Sequence, residues 1–377
     1  MKENLRIIIS GGGTGGHIFP AISIANALKE QHPEAEILFV GAEGRMEMHR
    51  VPAAGYPIKG LPVAGFDRKN LLKNVVVLFK LLKSQWLARK IIRDFQPHAA
   101  VGVGGYASGP TLKMAGLMGI PTLIQEQNSY AGVTNKLLAK QAQKICVAYE
   151  GMERFFDKDK IILTGNPVRQ ALLYPTMNRE EAIRSFGLDP DKKTILLVGG
   201  SLGARTLNQC VMEGLKQLQQ TPDVQFIWQT GKFYIDEARQ AVQQAGPLPN
   251  LHVTDFIGDM SAAYQAADLV ISRAGAGSIS EFCLLGKPVI LVPSPNVAED
   301  HQTQNALALV RKEAALYIKD AEARDQLLAK AIETVGQPET LKNLSMNIAQ
   351  LAFTDSANVI AREVYQLADN YRKKHER

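Results

Sequence analysis

Twice in this chain a short apolar run passes straight into a glycine turn and then into a helical stretch. The first is RIIIS at 6–10, followed by Gly11-Gly12-Gly13-Thr14-Gly15-Gly16-His17. The second is TILLV at 194–198, followed by Gly199-Gly200-Ser201-Leu202-Gly203-Ala204. A β-branched run too short for a helix, closed by glycine and followed by helical periodicity, opens a βαβ unit. Such units build parallel sheets with helices on both faces. One opening in each half of 377 residues predicts two sheets and two domains.

The remaining apolar runs fit that plan. In the first half a helix is expected over 18–30 and strands at 37–41, 99–103, 121–125, 144–148 and 160–163. In the second, a helix is expected over 180–187 and strands at 225–229, 251–254, 269–272 and 288–292. The boundary falls near 168–174, giving domains of 1–168 and 169–354, with a last amphipathic helix of about 355–371 crossing back onto the first. Open α/β sheets bind ligands at the carboxyl ends of their strands, so a cleft between the halves is the expected site.

Composition narrows the class. Apolar residues at 46% and charged residues at 21% describe an ordinary folded chain. Cys146, Cys210 and Cys283 lie far apart and form no CxxC pair, which reads as reduced structural thiols in a cytosolic compartment. The glycine loop comes too early for a secretory signal, and no window approaches the ~18 apolar residues of a spanning helix. A soluble or peripheral protein is expected. The formal charge of +6 suits an anionic partner or simply a solvated basic surface.

Glycines after a strand bring N–H groups close to a ligand, and the following helix N-terminus favours negative charge. Gly11, Gly13 and Gly16 formally satisfy G-x-G-x-x-G, and a dinucleotide reading would use Glu43 as ribose partner. His17 stands where a Walker loop needs Lys-Ser/Thr, which excludes that motif. The third loop, Arg273-Ala274-Gly275-Ala276-Gly277-Ser278-Ile279-Ser280-Glu281, again follows a strand and opens a helix. Glu281 there could accept two hydrogen bonds from a ribose diol, or answer Ser278 in a capping box. Tight turns without a ligand are the plainer reading of either of the first two loops.

The loops do not stand alone. GGGTGG with His17, Gly104-Gly105-Tyr106-Ala107-Ser108, Gln125-Glu126-Gln127-Asn128, Gly165-Asn166-Pro167-Val168-Arg169, the loops at 199–204 and 273–281, and Asp300-His301-Gln302-Thr303-Gln304-Asn305-Ala306 occur in one order. In that set and order the chain resembles the MurG family of UDP-GlcNAc:lipid I N-acetylglucosaminyltransferases, over almost its whole length. The resemblance implies a GT-B fold, two Rossmann-like parallel-sheet α/β domains facing across a cleft. It also implies metal-independent, inverting transfer of N-acetylglucosamine to the muramyl 4-hydroxyl of lipid I, making lipid II for peptidoglycan synthesis.

Carried over residue by residue, it implies UDP-GlcNAc contacts at Thr14, Gly15, Gly16, Asn128, Arg169, Ser201, Ile257, Ala276, Gly277, Ser278, Ile279, Ser280, Glu281 and Gln302. The Ile257 backbone would read the uracil, Glu281 the ribose, and Asn128 and Gln302 (rather than Gln304) sugar hydroxyls. Thr14 to His17, with Gly104, Gly105 and Tyr106, would form the acceptor side. His17 is the candidate base, since an ordinary imidazole pKa near ~6.5 suits proton abstraction at neutral pH. Its plainer role is to hold the loop, and Glu126 is the rival base. Arg169 and the helix N-terminus at Ser201 would help the leaving UDP. Asp157-Lys158-Asp159 and Asp189-Pro190-Asp191 precede strands rather than follow them and read as solvated turns, so no metal and no cofactor is expected.

The segment 68–90, RKNLLKNVVVLFKLLKSQWLARK, winds at about 100° per residue into an apolar stripe of Val75, Phe79, Leu82 and Trp86. Lys69, Lys73, Lys80, Lys83 and Lys90 form an adjoining basic stripe. The plainer reading is a core-packed helix with a solvated lysine face. The lipid-linked acceptor implied by the resemblance favours docking on an anionic membrane surface, at the cytoplasmic face of the plasma (inner) membrane. Other cell-wall synthesis proteins are expected partners, and nucleic acid is not. Three alternatives stay open: another UDP-sugar enzyme such as a 2-epimerase, an NAD-dependent oxidoreductase, and a binding module that gives His17 and Glu126 no work.

Overall fold

The computed structural model describes residues 4–63, 71–200 and 202–375, with backbone alone at 71–76, 78, 170, 171 and 298. The chain divides into two compact units, 1–168 with 353–377, and 169–352.

The first unit is built on a parallel sheet of β1 (Arg6–Ser10), β2 (Glu36–Ala42), β3 (Ile58–Leu61), β4 (Ala99–Gly102), β5 (Thr122–Glu126), β6 (Lys144–Val147) and β7 (Ile161–Leu163), in the order β3-β2-β1-β4-β5-β6-β7. β1 shows why the sheet must be covered on both faces. Ile7 and Ile9 join a cluster with Ile24 and Leu28, while Ile8 points the other way toward Leu38, Ala88 and Ile92. Each such aliphatic side chain contributes roughly 1.5–3 kcal/mol when fully buried. α1 (Gly15–Gln31) and the last helix, Ser356–His375, cover the first face. There Tyr365 stacks on His32 at 3.7 Å and Gln31 donates to Asn358 at 2.9 Å. The elements α2 (Glu47–Ala53), α3 (Leu71–Phe95), α4 (Ser108–Leu117) and α5 (Val133–Leu138) complete the unit's α-helices before the last one.

The second unit repeats the plan with β8 (Lys193–Val198), β9 (Val224–Gln229), β10 (Leu251–Thr254), β11 (Leu269–Ser272), β12 (Val289–Leu291) and β13 (Leu316–Tyr317), ordered β10-β9-β8-β11-β12-β13. Leu196 pairs with Ile227 on one side and Val270 on the other, and all three are fully buried.

Strand order reverses once in each sheet, between β1 and β4 and between β8 and β11. Loops leaving these strands diverge to opposite faces and open a crevice at the carboxyl ends. The glycine loops sit at those two places.

Two edge strands lie outside the sequence pattern. β3 reads IKGL, and its glycine and lysine hide a strand that borders only β2. β13 has two residues. The expected third strand is therefore the fourth. α1 also starts earlier than expected, because Thr14 is its extended N-cap and Gly15 and Gly16 fall within the first turn.

Candidate functional site

At the first crevice two glycine turns interlock. Gly105 has a φ of +85°, and a Cβ there would lie 2.3 Å from the Gly12 carbonyl oxygen. Gly104 has a φ of +94°, and its Cβ would lie 2.8 Å from His17 Nε2 and Cδ2. The His17 imidazole thus rests against the Gly104 backbone. On its other edge, Nδ1 is 3.2 Å from the Thr14 hydroxyl. Ser108 Oγ, 2.7 Å from the Ser10 carbonyl and 2.9 Å from that of Gly104, ties the second turn to the end of β1. Tyr106 projects from this turn, 53% exposed. His17, Thr14, Gly104 and Gly105 are therefore brought together.

Glu126 sits in a closed hydrogen-bonded clasp. It is 2% exposed, and four donors converge on it. Oε1 accepts from the Asn128 N–H at 3.0 Å and Nδ2 at 3.3 Å, while Oε2 accepts from the Gly132 N–H at 3.0 Å and Asn135 Nδ2 at 2.8 Å. Burial pushes its carboxyl pKa up, and these hydrogen bonds pull it back. A carboxylate with its lone pairs so committed clasps the loop after β5 onto α5. Asn128, half-buried, turns its amide toward this clasp.

In the second unit the loop after β8 is clamped by Gln229. Its Oε1 accepts the Gly200 N–H at 2.9 Å, and its Nε2 donates to the carbonyls of Gly200 at 3.0 Å and Asp255 at 2.7 Å. Ser201 lies outside the described residues. Ile257, beyond Asp255, is buried beside exposed Phe256.

The helix Ala276–Leu285 has Gly275 as its N-cap, without a side-chain cap. Ser278 is therefore three residues past the cap, and the capping-box reading of Glu281 does not hold. Glu281 instead lies past the first turn, 9% exposed, between two partners from distant sequence. Arg169 donates to Oε1 and the Tyr264 hydroxyl donates to Oε2 at 2.8 Å. Burial and the neighbouring carboxylate push the Tyr264 phenol well above its ordinary pKa. Tyr264, in the helix Met260–Ala266, was not singled out in the sequence, where one tyrosine among alanines reads as core. Arg273 is turned inward onto the carbonyls of Val292 and Pro293 and the carboxylate of Asp320.

Around that helix, Ala276, Gly277, Ser278 and Ser280 are half-buried and Ile279 is buried. Ser280 Oγ donates back to the Ala276 carbonyl at 3.0 Å. Gln302 Oε1 accepts the Ser294 N–H at 2.8 Å and so pins the loop after β12. In that loop Glu299 and Asp300 both adopt left-handed φ values, 56° and 51°, a strain of order 1–3 kcal/mol each. The two Asp-x-Asp triplets close their own turns: Asp157 accepts the Asp159 N–H at 3.1 Å and Asp189 the Asp191 N–H at 3.0 Å. Burial pushes the thiols of Cys146 and Cys283 up to about 12 and that of Cys210 up to about 11, which leaves them unreactive.

α3 carries two apolar faces. Val77, Ser84, Ala88 and Ile92 are buried on one side. On the other, Phe79 is 70%, Leu82 56% and Trp86 64% exposed, bordered by exposed Lys80, Lys83, Arg89 and Lys90. The core-packed reading of this stripe therefore fails for those three residues. Lys69 and the side chains of Lys73 and Val75 lie outside the described residues. No helix among the described residues is long and apolar enough to cross a membrane.

Comparison with known proteins meets this geometry from another side. Residues 7–147 match the glycosyltransferase family 28 N-terminal domain, and residues 194–361 match the C-terminal domain of the same family. A relative from Phocaeicola vulgatus, named UDP-N-acetylglucosamine--N-acetylmuramyl-(pentapeptide) pyrophosphoryl-undecaprenol N-acetylglucosamine transferase, is 83% identical over 377 residues, 100% of each chain. A relative of the same name from Porphyromonas gingivalis is 56% identical over 373 residues, 99% of this chain and 98% of the other. Among solved structures, MurG of Acinetobacter baumannii superposes with a TM-score of 0.75 at 28% identity, covering 96% of this chain and 99% of that one. A UDP-GlcNAc 2-epimerase from Neisseria meningitidis shares the fold, with a TM-score of 0.67 at 14% identity and coverage of 96% and 100%.

Proposed function

The chain belongs to glycosyltransferase family 28, and from that premise we propose that it transfers N-acetylglucosamine from UDP-GlcNAc to the muramyl 4-hydroxyl of lipid I, yielding lipid II for peptidoglycan synthesis. The observation that carries this reading is end-to-end likeness to transferases of that name, both units included.

The residues supply the parts an inverting transfer needs. In the tautomer whose Nδ1–H donates to Thr14, the basic lone pair of His17 is on Nε2, where it takes the proton of the 4-hydroxyl. The hydroxyl oxygen bonds to the anomeric carbon as the bond to the UDP oxygen breaks on the opposite face, and the electron pair leaves with UDP. Thr14, Gly15 and Gly16 begin α1, whose first N–H groups have no intrahelical acceptor and face the acceptor diphosphate. In the second unit the start of the helix Ala276–Leu285 serves the donor diphosphate, with Arg169 held at Glu281, past the first turn of the same helix. Glu281 accepts from the ribose through the lone pair left on Oε2, the Ile257 backbone reads the uracil, and Gln302 and Asn128 contact sugar hydroxyls. On this reading 169–354 binds the donor, while 1–168 with the last helix binds acceptor and membrane. The exposed Phe79, Leu82 and Trp86 with their lysine border dock on anionic lipid at the cytoplasmic face.

Incubation with UDP-GlcNAc and a short-chain lipid I analogue tests the function. UDP release matched by disaccharide product is the expected result. Epimerisation of UDP-GlcNAc without acceptor would overturn it in favour of the 2-epimerase reading.

A further inference from the structure

A carboxylate outside every motif sits under the first glycine loop. Glu47 opens α2 and is 1% exposed. Its oxygens serve two backbone groups: Oε1 accepts the Ala42 N–H at the end of β2, and Oε2 accepts the Gly13 N–H, each at 2.9 Å. The space it occupies exists because its neighbours lack side chains. A Cβ at Gly12 would lie 2.1 Å from Oε1, and one at Gly41 would lie 2.6 Å from Cγ.

We propose that Glu47 is a positioning residue for the transfer, holding Gly13 to the end of β2 and thereby fixing the orientation of the His17 imidazole. This rests on His17 being the base. A Cβ at Gly13 would touch nothing within 4 Å, so the loop is open on that side and the bond to Glu47 ties it from beneath. The next residue, Thr14, caps α1 by backbone alone, and its hydroxyl is spent on His17 Nδ1. Where that hydroxyl stands follows from where Gly13 is tied. The Gly13 N–H, already engaged, is thereby removed from the donors available to a diphosphate.

Two N–H groups require two acceptors. Glutamine offers one acceptor and sets an NH₂ against the other N–H, so Glu47→Gln perturbs the clamp with almost no change of volume. Gly41→Ala displaces the Glu47 stem while keeping its charge. Each variant is expected to lower kcat roughly 10- to 100-fold with the lipid I analogue, the cost of a small misplacement of a reacting group. The Kd for UDP, measured by calorimetry and governed by the other unit, stays within about twofold, and a retained cooperative urea transition of the first unit shows that the unit holding Glu47 is folded. Glu47→Gln added to His17→Ala costs nothing beyond His17→Ala alone, because both act through one imidazole. If Glu47→Gln does not fold, Gly41→Ala alone and combined with His17→Ala carries the same test. Normal kcat in a folded variant, or losses that multiply with His17→Ala, would overturn the proposal while the base assignment stands. Near-normal turnover of His17→Ala would sink the base assignment and this proposal with it.

Discussion

Arg169 donates two hydrogen bonds to a single carboxylate oxygen of Glu281, Nε at 3.0 Å and Nη2 at 2.7 Å. The other oxygen is left to the Tyr264 hydroxyl, so the carboxylate is fixed from both sides before any ligand arrives. A group so fixed loses little freedom on binding. Glu281→Ala should therefore weaken donor binding by roughly 1–3 kcal/mol, seen as a raised Kd for UDP and a raised KM for UDP-GlcNAc. An unchanged KM would remove Glu281 from the donor site.

His17 makes the opposite kind of prediction. Its loss should cost ~10²–10⁴-fold in kcat while the calorimetric Kd for UDP barely moves. Near-wild-type turnover would leave the imidazole the role of holding its loop, between Thr14 and Gly104.

Glu126→Ala should behave as a lesion of folding. Removing it strands the N–H groups of Gly132 and Asn128 and the amide of Asn135. The expected loss is roughly 1–3 kcal/mol, read as a lower urea midpoint for the first unit. A variant of unchanged midpoint but abolished turnover would return Glu126 to the chemistry.

Turnover should survive a chelator. Both Asp-x-Asp triplets spend a carboxylate oxygen on their own turn. Loss of UDP release in EDTA, restored by a divalent cation, would contradict the metal-independent reading.

Docking should depend on charge and on the exposed apolar side of α3 together. In co-sedimentation with vesicles containing phosphatidylglycerol, Phe79→Ser/Trp86→Ser and Lys80→Glu/Lys83→Glu should each reduce the bound fraction. Losing two lysines, at about 1 kcal/mol each near the surface, corresponds to roughly 30-fold in partitioning. Binding indifferent to lipid charge and to both pairs would place the membrane surface elsewhere.

What the sequence made legible was what repeats or alternates. RIIIS and TILLV announced β1 and β8 because a parallel strand buried on both faces is a continuous apolar run. The edge strand Ile58–Leu61 has no such run to show. Glu281 could be picked out by chemistry, but its partners come from residues 169 and 264, and no local spacing encodes that meeting. For the same reason a glutamate among amides at a strand end suggests a base, and nothing local in Gln125-Glu126-Gln127-Asn128 announces that Gly132 and Asn135 fold over it. Glu47 stands in a polar run, GRMEMHR, where nothing marks it as buried.

The interlock of Gly105 with Gly12 bears on how this chain can change. At positions 12, 104 and 105 the smallest lesion a gene can introduce, one methyl group, meets the Glu47 carboxylate, the His17 ring or the facing backbone. Random mutagenesis should return no silent replacements there, and a library diversified across these glycines will be spent on unfolded or inert clones. Tyr106, exposed in the same turn, has room to vary, so diversity belongs at that residue, with the glycines left untouched.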